Sequence, residues 1–574
     1  MIREKLYRWL RAISGGYVDF DLAPAVKLEF GHYSTNLALR LAKERGRSPI
    51  ATAKEIAERI RRFAPTTLIQ DIQVAPPGFI NFWLSPEAFR DELREIIRQG
   101  EEFGKMNLGR GRTVILEYSS PNIAKPMHVG HLRNTVLGDA LARIYEFLGY
   151  KVIRWNYLGD WGTQFGNLIA AYKKWGKRRE VEKKPIETLL ALYVRFHRAA
   201  GEQPELEELG RQEFKKLESG DKENRRLWFW FRKASMREFT RIYRVLGVKF
   251  DVEIGESFFN PDTGPLILEL EKKKIAVESQ GALIIPLTKQ GLPPALIRKA
   301  DGTSLYLTRE IANLKYRLRR YKPAKILYVV GNEQSLHFEQ LFAVAEILGL
   351  AGKAELVHVK YGLVLDEGGK KFSTRRGRII SAADVLAKAV RLARETVEKK
   401  NPHLTAREKA RIAARVGVAA VKYVNLRENR KSTVIFDWKK MLDFSGDSAP
   451  YLQYTYARLR SIWRKAGRGR RQVAGGRRPA VFQRLVEEQE LALVRKMGEF
   501  PEIVRAAALA YAPNILAVYL YELANAVNSY YESTPILKDE DVKRKNARLA
   551  LIVTASKVIK TGLGLLGLAV PERI

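Results

Sequence analysis

The chain has 574 residues, 46% hydrophobic and 29% charged, with seven histidines and no cysteine. That length predicts about three to five domains, and the missing cysteine excludes disulfides, thiol nucleophiles and cysteine-ligated zinc. The 101 Lys+Arg against 64 Asp+Glu give a formal charge of +37, which favours a polyanionic partner such as nucleic acid or reflects a surface adapted to heat.

Residues 1 to about 105 read as a small α+β module. "MIREKLYRWLRAISGG" is a short amphipathic helix without the apolar core or cleavage site of a signal peptide. Apolar runs fall far short of the ~20 residues of a membrane span, so the expected location is the cytoplasm. Helical patterning at "STNLALRLAKE" and "ATAKEIAERIRRF" leads into "DIQVAPPGFINFWLS", a strand, a Pro-Gly turn and a second strand.

Residues 106 to about 395 read as a parallel α/β unit. "TVILEY" (113–118) is an apolar strand. After a loop comes a helix in which Val136, Leu137, Ala140, Leu141, Ile144, Phe147 and Leu148 recur every three or four positions, stopped by Gly149. "KVIRWNYLG" follows as a strand, making a right-handed βαβ unit. Further strands are expected at "ALIIPL", "KILYVVG" and "AELVHVKYG", with a charged helical insertion at about 170–260. From 396 to 574 the pattern is helical, apart from a flexible basic tract at 464–479.

The chemistry concentrates in "SSPNIAKPMHVGHLR" (119–133), at the carboxyl end of the first strand, where open α/β sheets bind ligands. His128 and His131 stand three apart at a helix start, Gly130 lacks a side chain between them, and Lys125 adds a positive charge. A helix N-terminus attracts anions, so this is a candidate site for a nucleotide and its phosphates; the plainer reading is two surface histidines. No third ligand lies close in sequence, so no metal site is expected. Walker A, G-x-G-x-x-G and G-x-S-x-G motifs are absent.

"HVGH" resembles the HIGH signature of class I aminoacyl-tRNA synthetases, and "KFSTR" (371–375) resembles their KMSKS signature. In order along the chain, "SSPNIAKPMHVGHLR", "LGDWGTQFG", "YLTRE", "NRKSTVIFDW", "APYLQYTYARL" and "LLGLAVPER" resemble arginyl-tRNA synthetases. The resemblance implies a multidomain α/β protein. Residues 1–105 would be an N-terminal α+β domain meeting the tRNA elbow, and 106–395 a Rossmann-like parallel sheet with a helical insertion. Residues 396–574 would be an α-helical anticodon-binding domain.

It implies an arginine–tRNA ligase. ATP, with Mg²⁺ carried on its phosphates, activates L-arginine to arginyl-adenylate, and the arginyl group then passes to the 3'-terminal ribose of tRNA(Arg). By resemblance His128, Gly130, His131, Lys371, Ser373 and Arg375 bind ATP, and Lys125, His128, His131 and Lys371 are catalytic. Thr374 stands where KMSKS has its second lysine, and Lys125 is the candidate replacement. Glu117 and Glu310 would bind the guanidinium with Tyr306 packed against it, since a planar fork of donors is best met by carboxylates and an aromatic face. Ser120, Asn122 and Gln334 would hold the amino and carboxylate end. Glu310 stands where the family more often has aspartate. Phe79 and Asn81 would meet the tRNA elbow, and Tyr454 and Tyr531 the anticodon, although helix core is an equally good reading of the tyrosines. The family usually ends in methionine, where this chain has Ile574, and is usually monomeric. Two other readings are a synthetase for a different amino acid and a non-catalytic RNA-binding protein on the same fold.

Overall fold

The computed structural model describes residues 1–16, 18–25, 27–300, 305–350, 352–370, 380–467 and 479–573. Lys371, Ser373, Thr374 and Arg375 of the second signature, Ile574, and most of the basic tract lie outside the described residues.

In the N-terminal module, helix Ile2–Ile13 buries Ile2, Leu6 and Leu10, one face of an amphipathic pattern. Helices Leu37–Arg45 and Pro49–Phe63 lie against each other. Strands Ile69–Ala75 and Phe79–Leu84 pair antiparallel across the Pro-Gly turn, within a four-stranded sheet. Helix Pro86–Gln99, capped by Ser85 Oγ on the Ala88 amide, packs against Glu488–Gly498 near the far end of the chain.

The central unit is a five-stranded sheet of Thr113–Glu117 (β1), Lys151–Leu158 (β2), Val252–Gly255 (β3), Lys325–Gly331 (β4) and Glu355–Tyr361 (β5). The spatial order is β5-β4-β1-β2-β3, all parallel. The chain builds outward from β1 to β3, then returns to the other side of β1 for β4. Between β1 and β4 the direction of winding reverses, and a crevice opens beyond their carboxyl ends.

One expectation needs correction. The helical insertion ends earlier than 260: its last helix is Lys222–Leu246 (α2), and β3 belongs to the sheet. "ALIIPL" supplies the expected strand, but outside the central parallel sheet. Ala282–Ile285 pairs antiparallel with Val277–Ser279 and Ala295–Arg298 in a separate sheet. The cause is local: Gln280 and Gly281 both have positive φ (50° and 76°), the two-residue hairpin geometry that turns a strand back on itself.

Helix Val129–Phe147 (α1) is buried on nearly all faces, Arg133, Asn134 and Asp139 included. The C-terminal helices cover the side away from the sheet. Arg133 donates through Nη1 and Nη2 to three backbone carbonyls, Leu363 (3.0 Å), Arg430 (2.9 Å) and Ser432 (2.9 Å). Glu256–Lys272 (α3) and Tyr306–Tyr321 (α4) precede β4. The C-terminal region is built mainly from Ala382–Lys400 (α5), Ala406–Arg427 (α6), Ala449–Lys465 (α7), Asn514–Ser533 (α8) and Val542–Leu565 (α9). Helices α7, α8 and α9 pack on one another. Lys422 of α6 is buried, donates to the carbonyls of Leu246 (3.0 Å) and Gly567 (2.7 Å), and lies beside Asp139 of α1.

Candidate active site

The loop from β1 to α1 runs through unusual backbone. Ser119, Ser120 and Ala124 all have positive φ (72°, 46° and 62°), a region that costs non-glycine residues free energy. Each is held by a side chain from elsewhere. The Ser119 amide donates to Asn134 Oδ1 (2.6 Å), Ser120 to Asn156 Oδ1 (3.1 Å) and Ala124 to Ser235 Oγ (3.0 Å). Tyr243 of α2 reaches the Ser119 hydroxyl at 2.7 Å. Sequence reasoning missed Asn134, Asn156, Ser235 and Tyr243 because nothing in their local spacing marks them.

The loop borders a cavity of about 380 Å³ in the crevice between β1 and β4. Among the expected residues, Glu117, Ser120, Asn122, His131, Tyr306 and Gln334 line it. Asn122 bridges to Gly159 at the end of β2. A Cβ on Gly159 would sit 2.0 Å from Asn122 Oδ1, so only glycine leaves Asn122 its place. The Ser120 and Tyr157 hydroxyls are buried without a hydrogen-bond partner among the described residues. Tyr306 is 37% exposed, and its ring packs on His337 and Tyr157.

Four expected residues are absent from the cavity wall. Glu310, one turn along α4 from Tyr306, is fully buried. Its only hydrogen bond among the described residues comes from Asn313 Nδ2 (3.3 Å), and Oε2 has none. His128 and Gly130 stand beside the wall. Lys125 turns toward the insertion, with its ammonium 5.2 Å from the centre of the Tyr193 ring. Glu117 lies in the wall but is already paired, with Arg317. Arg317 is an arginine of the core: it is 0% exposed, and its guanidinium lies 4.3 Å from the ring centre of Trp155.

The two histidines form one unit. His128 is the N-cap of α1, and its Nδ1 accepts the Gly130 amide (3.0 Å). His131 Nδ1 accepts the His128 amide (3.3 Å), and the ring centres are 4.0 Å apart. A ring nitrogen that accepts carries no proton, so the other must carry it. Both imidazoles are therefore Nε2–H tautomers and neutral. Burial lowers the pKa of both; for His131, burial and then the neighbouring His128 bring it to about 3. The pairing changes what the helix start offers. The helix start does not offer all its amides to an anion, since imidazoles take two of them. The space at Gly130 is filled by His128 itself, whose Cε1 would be 2.9 Å from a Cβ there.

The carboxyl end of the second-signature segment returns to this point. Ser381, which caps α5, bridges to His128, and the Ala382 amide donates to the Met127 carbonyl at 2.7 Å. The expected RNA contacts divide. Phe79 is 37% exposed at the hairpin turn, but Asn81, two residues on and on the same face of the strand, is 5% exposed, within the sheet between Ser34 and Gln73. Tyr454 is half-buried, with the Arg458 guanidinium 4.8 Å over its ring. Tyr531 is half-buried against the helical core.

Three family models match the chain. "Arginyl tRNA synthetase N terminal domain" covers residues 2–84, "tRNA synthetases class I (R), catalytic domain" covers 92–438, and "DALR anticodon binding domain" covers 452–574. Arginine–tRNA ligase of Lactococcus lactis subsp. cremoris is 44% identical over 538 residues, 94% of this chain and 93% of that protein. That of Enterococcus faecalis is 44% identical over 540 residues, 94% and 92%. The structure of Thermus thermophilus arginyl-tRNA synthetase superposes with a TM-score of 0.83 at 28% identity, covering 100% of both chains.

Proposed function

Since the chain belongs to the arginyl-tRNA synthetase family, we propose that the cavity between β1 and β4 is where L-arginine reacts with ATP to give arginyl-adenylate. The arginyl group then moves to the 3'-terminal ribose of tRNA(Arg). One observation supports this above all: Glu117, Asn122, Tyr306 and Gln334 line a single cavity with His131, the second histidine of HVGH.

The roles follow from the chemistry each group offers. Activation asks the protein mainly to align a carboxylate with the α-phosphate and to stabilise charge as it develops. The Nε2–H groups of His128 and His131 donate hydrogen bonds to phosphate oxygens while the rings stay neutral, so they lose little hydration in doing so. Lys125 supplies the full positive charge that Thr374 does not. Glu117 and the Tyr306 ring receive the guanidinium, with Glu310 behind them. The unpartnered Ser120 hydroxyl, Asn122 and Gln334 take the α-amino and α-carboxylate groups. Lys371, Ser373 and Arg375, which lie outside the described residues, bind the phosphates of ATP by resemblance to the second signature. Mg²⁺ arrives with ATP rather than on protein ligands. Phe79 meets the tRNA elbow, and Tyr454 and Tyr531 meet the anticodon once Arg458 yields the Tyr454 face. The enzyme acts as a cytoplasmic monomer; among the described residues no helix is long and apolar enough to cross a membrane.

The test is tRNA charging across the amino acids, together with pyrophosphate exchange with and without tRNA(Arg). Arginine alone is expected to give both signals. A site with buried polar partners rejects analogues lacking the matching donors by roughly 10⁴–10⁵, so lysine charged nearly as well as arginine would overturn the reading. Affinity for tRNA should fall steeply with salt as phosphate contacts release counterions.

A further inference from the structure

Beneath the arginine cavity, acidic and basic groups do not balance. Three carboxylates meet there: Glu117 at the end of β1, Glu256 at the start of α3, and Glu310 on α4. Two guanidiniums answer them. Arg309 binds Glu256 through Nε (3.0 Å) and Nη2 (2.9 Å), and Arg317 binds Glu117. Glu310 has no cation in contact among the described residues. It is fully buried, one oxygen accepts only the neutral Asn313 amide, and the other accepts nothing.

The groups around Glu310 give it no compensation. Glu117 and Glu256 face it with like charge, and Arg317, the cation it senses, is committed to Glu117. Tyr306 of α4, Tyr157 of β2 and Tyr328 of β4 are the remaining titratable neighbours, and burial holds all three phenols well above their ordinary pKa, so they remain neutral. A buried carboxylate with neither a cation nor a full set of donors is stable only in its neutral form. Burial first, and Glu117 second, push its pKa far above the usual carboxylate range.

Resting on the reading of this cavity as the arginine site, we propose that Glu310 carries a proton in the empty enzyme and releases it to solvent when the guanidinium of arginine enters beside Glu117. The entering cation is the charge the cluster lacks. Arginine brings one positive charge in and one proton leaves from the Glu310 carboxyl, so the net charge of the floor is conserved. With Glu117 held by Arg317 and Glu256 by Arg309, Glu310 is the one carboxyl of the three with no cation in contact among the described residues. The cavity then selects for charge as well as shape, since a neutral ureido group of the same outline displaces no proton.

The experiment is calorimetric titration of the full chain with L-arginine at pH 7, with and without tRNA(Arg), in buffers of different ionisation enthalpy. L-citrulline is the neutral isostere. About one proton is expected to leave per arginine bound and none per citrulline, and arginine affinity should rise by up to about tenfold per pH unit between pH 6 and 7. Glu310→Gln, which copies the neutral carboxyl, should bind arginine with no proton release and no pH slope. The inference is overturned if arginine binds without releasing a proton, if citrulline releases as many, or if Glu310→Gln releases as many as the parent. The citrulline comparison decides the matter even if that variant does not fold. If arginine binds under neither condition, the assignment of the cavity itself fails.

Discussion

Nζ of Lys422 lies 3.7 Å from Oδ2 of Asp139, with side-chain exposures of 1% and 2%. The pair joins α6, the first helix after α5, to α1, the helix that begins with HVGH. Because the same ammonium holds the Leu246 and Gly567 carbonyls, four stretches of chain depend on one buried charge. Lys422→Met leaves both carbonyls without a donor and is expected to destabilise the fold by about 3 kcal/mol, read by denaturant unfolding. Burial lowers the Lys422 pKa to about 8, against the pull of Asp139. The unfolded chain therefore holds more protons than the folded chain above pH 8, and folding gains as pH rises. The advantage of the parent over Lys422→Met should widen between pH 8 and 9, by up to about 1.4 kcal/mol.

Lys125 is expected to act on the reaction more than on binding. In Lys125→Ala, kcat for pyrophosphate exchange should fall by roughly 10²–10³, the scale of losing one preorganised charge or donor. The arginine KM should move less than a few-fold. A change confined to that KM would place the lysine elsewhere in the cycle.

Gly159→Ala tests the placement of Asn122. The new methyl would lie 2.0 Å from Asn122 Oδ1, so the amide must leave its position. A displacement of about 1 Å can cost roughly 10² in rate, and kcat/KM for arginine should drop by that order. Circular dichroism and thermal unfolding should change little, because the clash is with a side chain at the cavity edge.

The imidazoles of His128 and His131 should resist protonation. With selectively ¹⁵N-labelled histidine, both should appear as Nε2–H tautomers. The His131 signal, assigned by its loss in His131→Asn, should stay neutral from pH 7 down to pH 5, since its pKa lies near 3. An imidazolium signal for His131 at pH 6 would contradict the proposed role as a neutral donor.

Much of this arrangement was legible in the residues. The β1–α1–β2 unit, the crevice at the end of β1 and the grouping of Glu117, Ser120, Asn122, Tyr306 and Gln334 followed from pattern and resemblance. Three parts were hidden for identifiable reasons. Gln280-Gly281 reverses a strand through two positive φ angles, a two-residue signal just ahead of an apolar run. Arg317 is an arginine in a helix with several other basic residues, and nothing in its spacing distinguishes the one that turns into the core. Asn134, Asn156 and Tyr243 hold the strained serines from three different elements, and only the folded chain brings those elements together.

The stacked guanidinium of Arg317 has a consequence for how the protein lives with its substrate. A group with the same head as free arginine is built into the core, against Trp155 and Glu117. The integrity of the sheet is therefore independent of supply. When arginine is scarce the cavity empties, but the core keeps its own guanidinium. Added arginine should raise thermal stability only by mass action, as RT ln(1 + [L]/Kd), with no threshold below which the fold gives way.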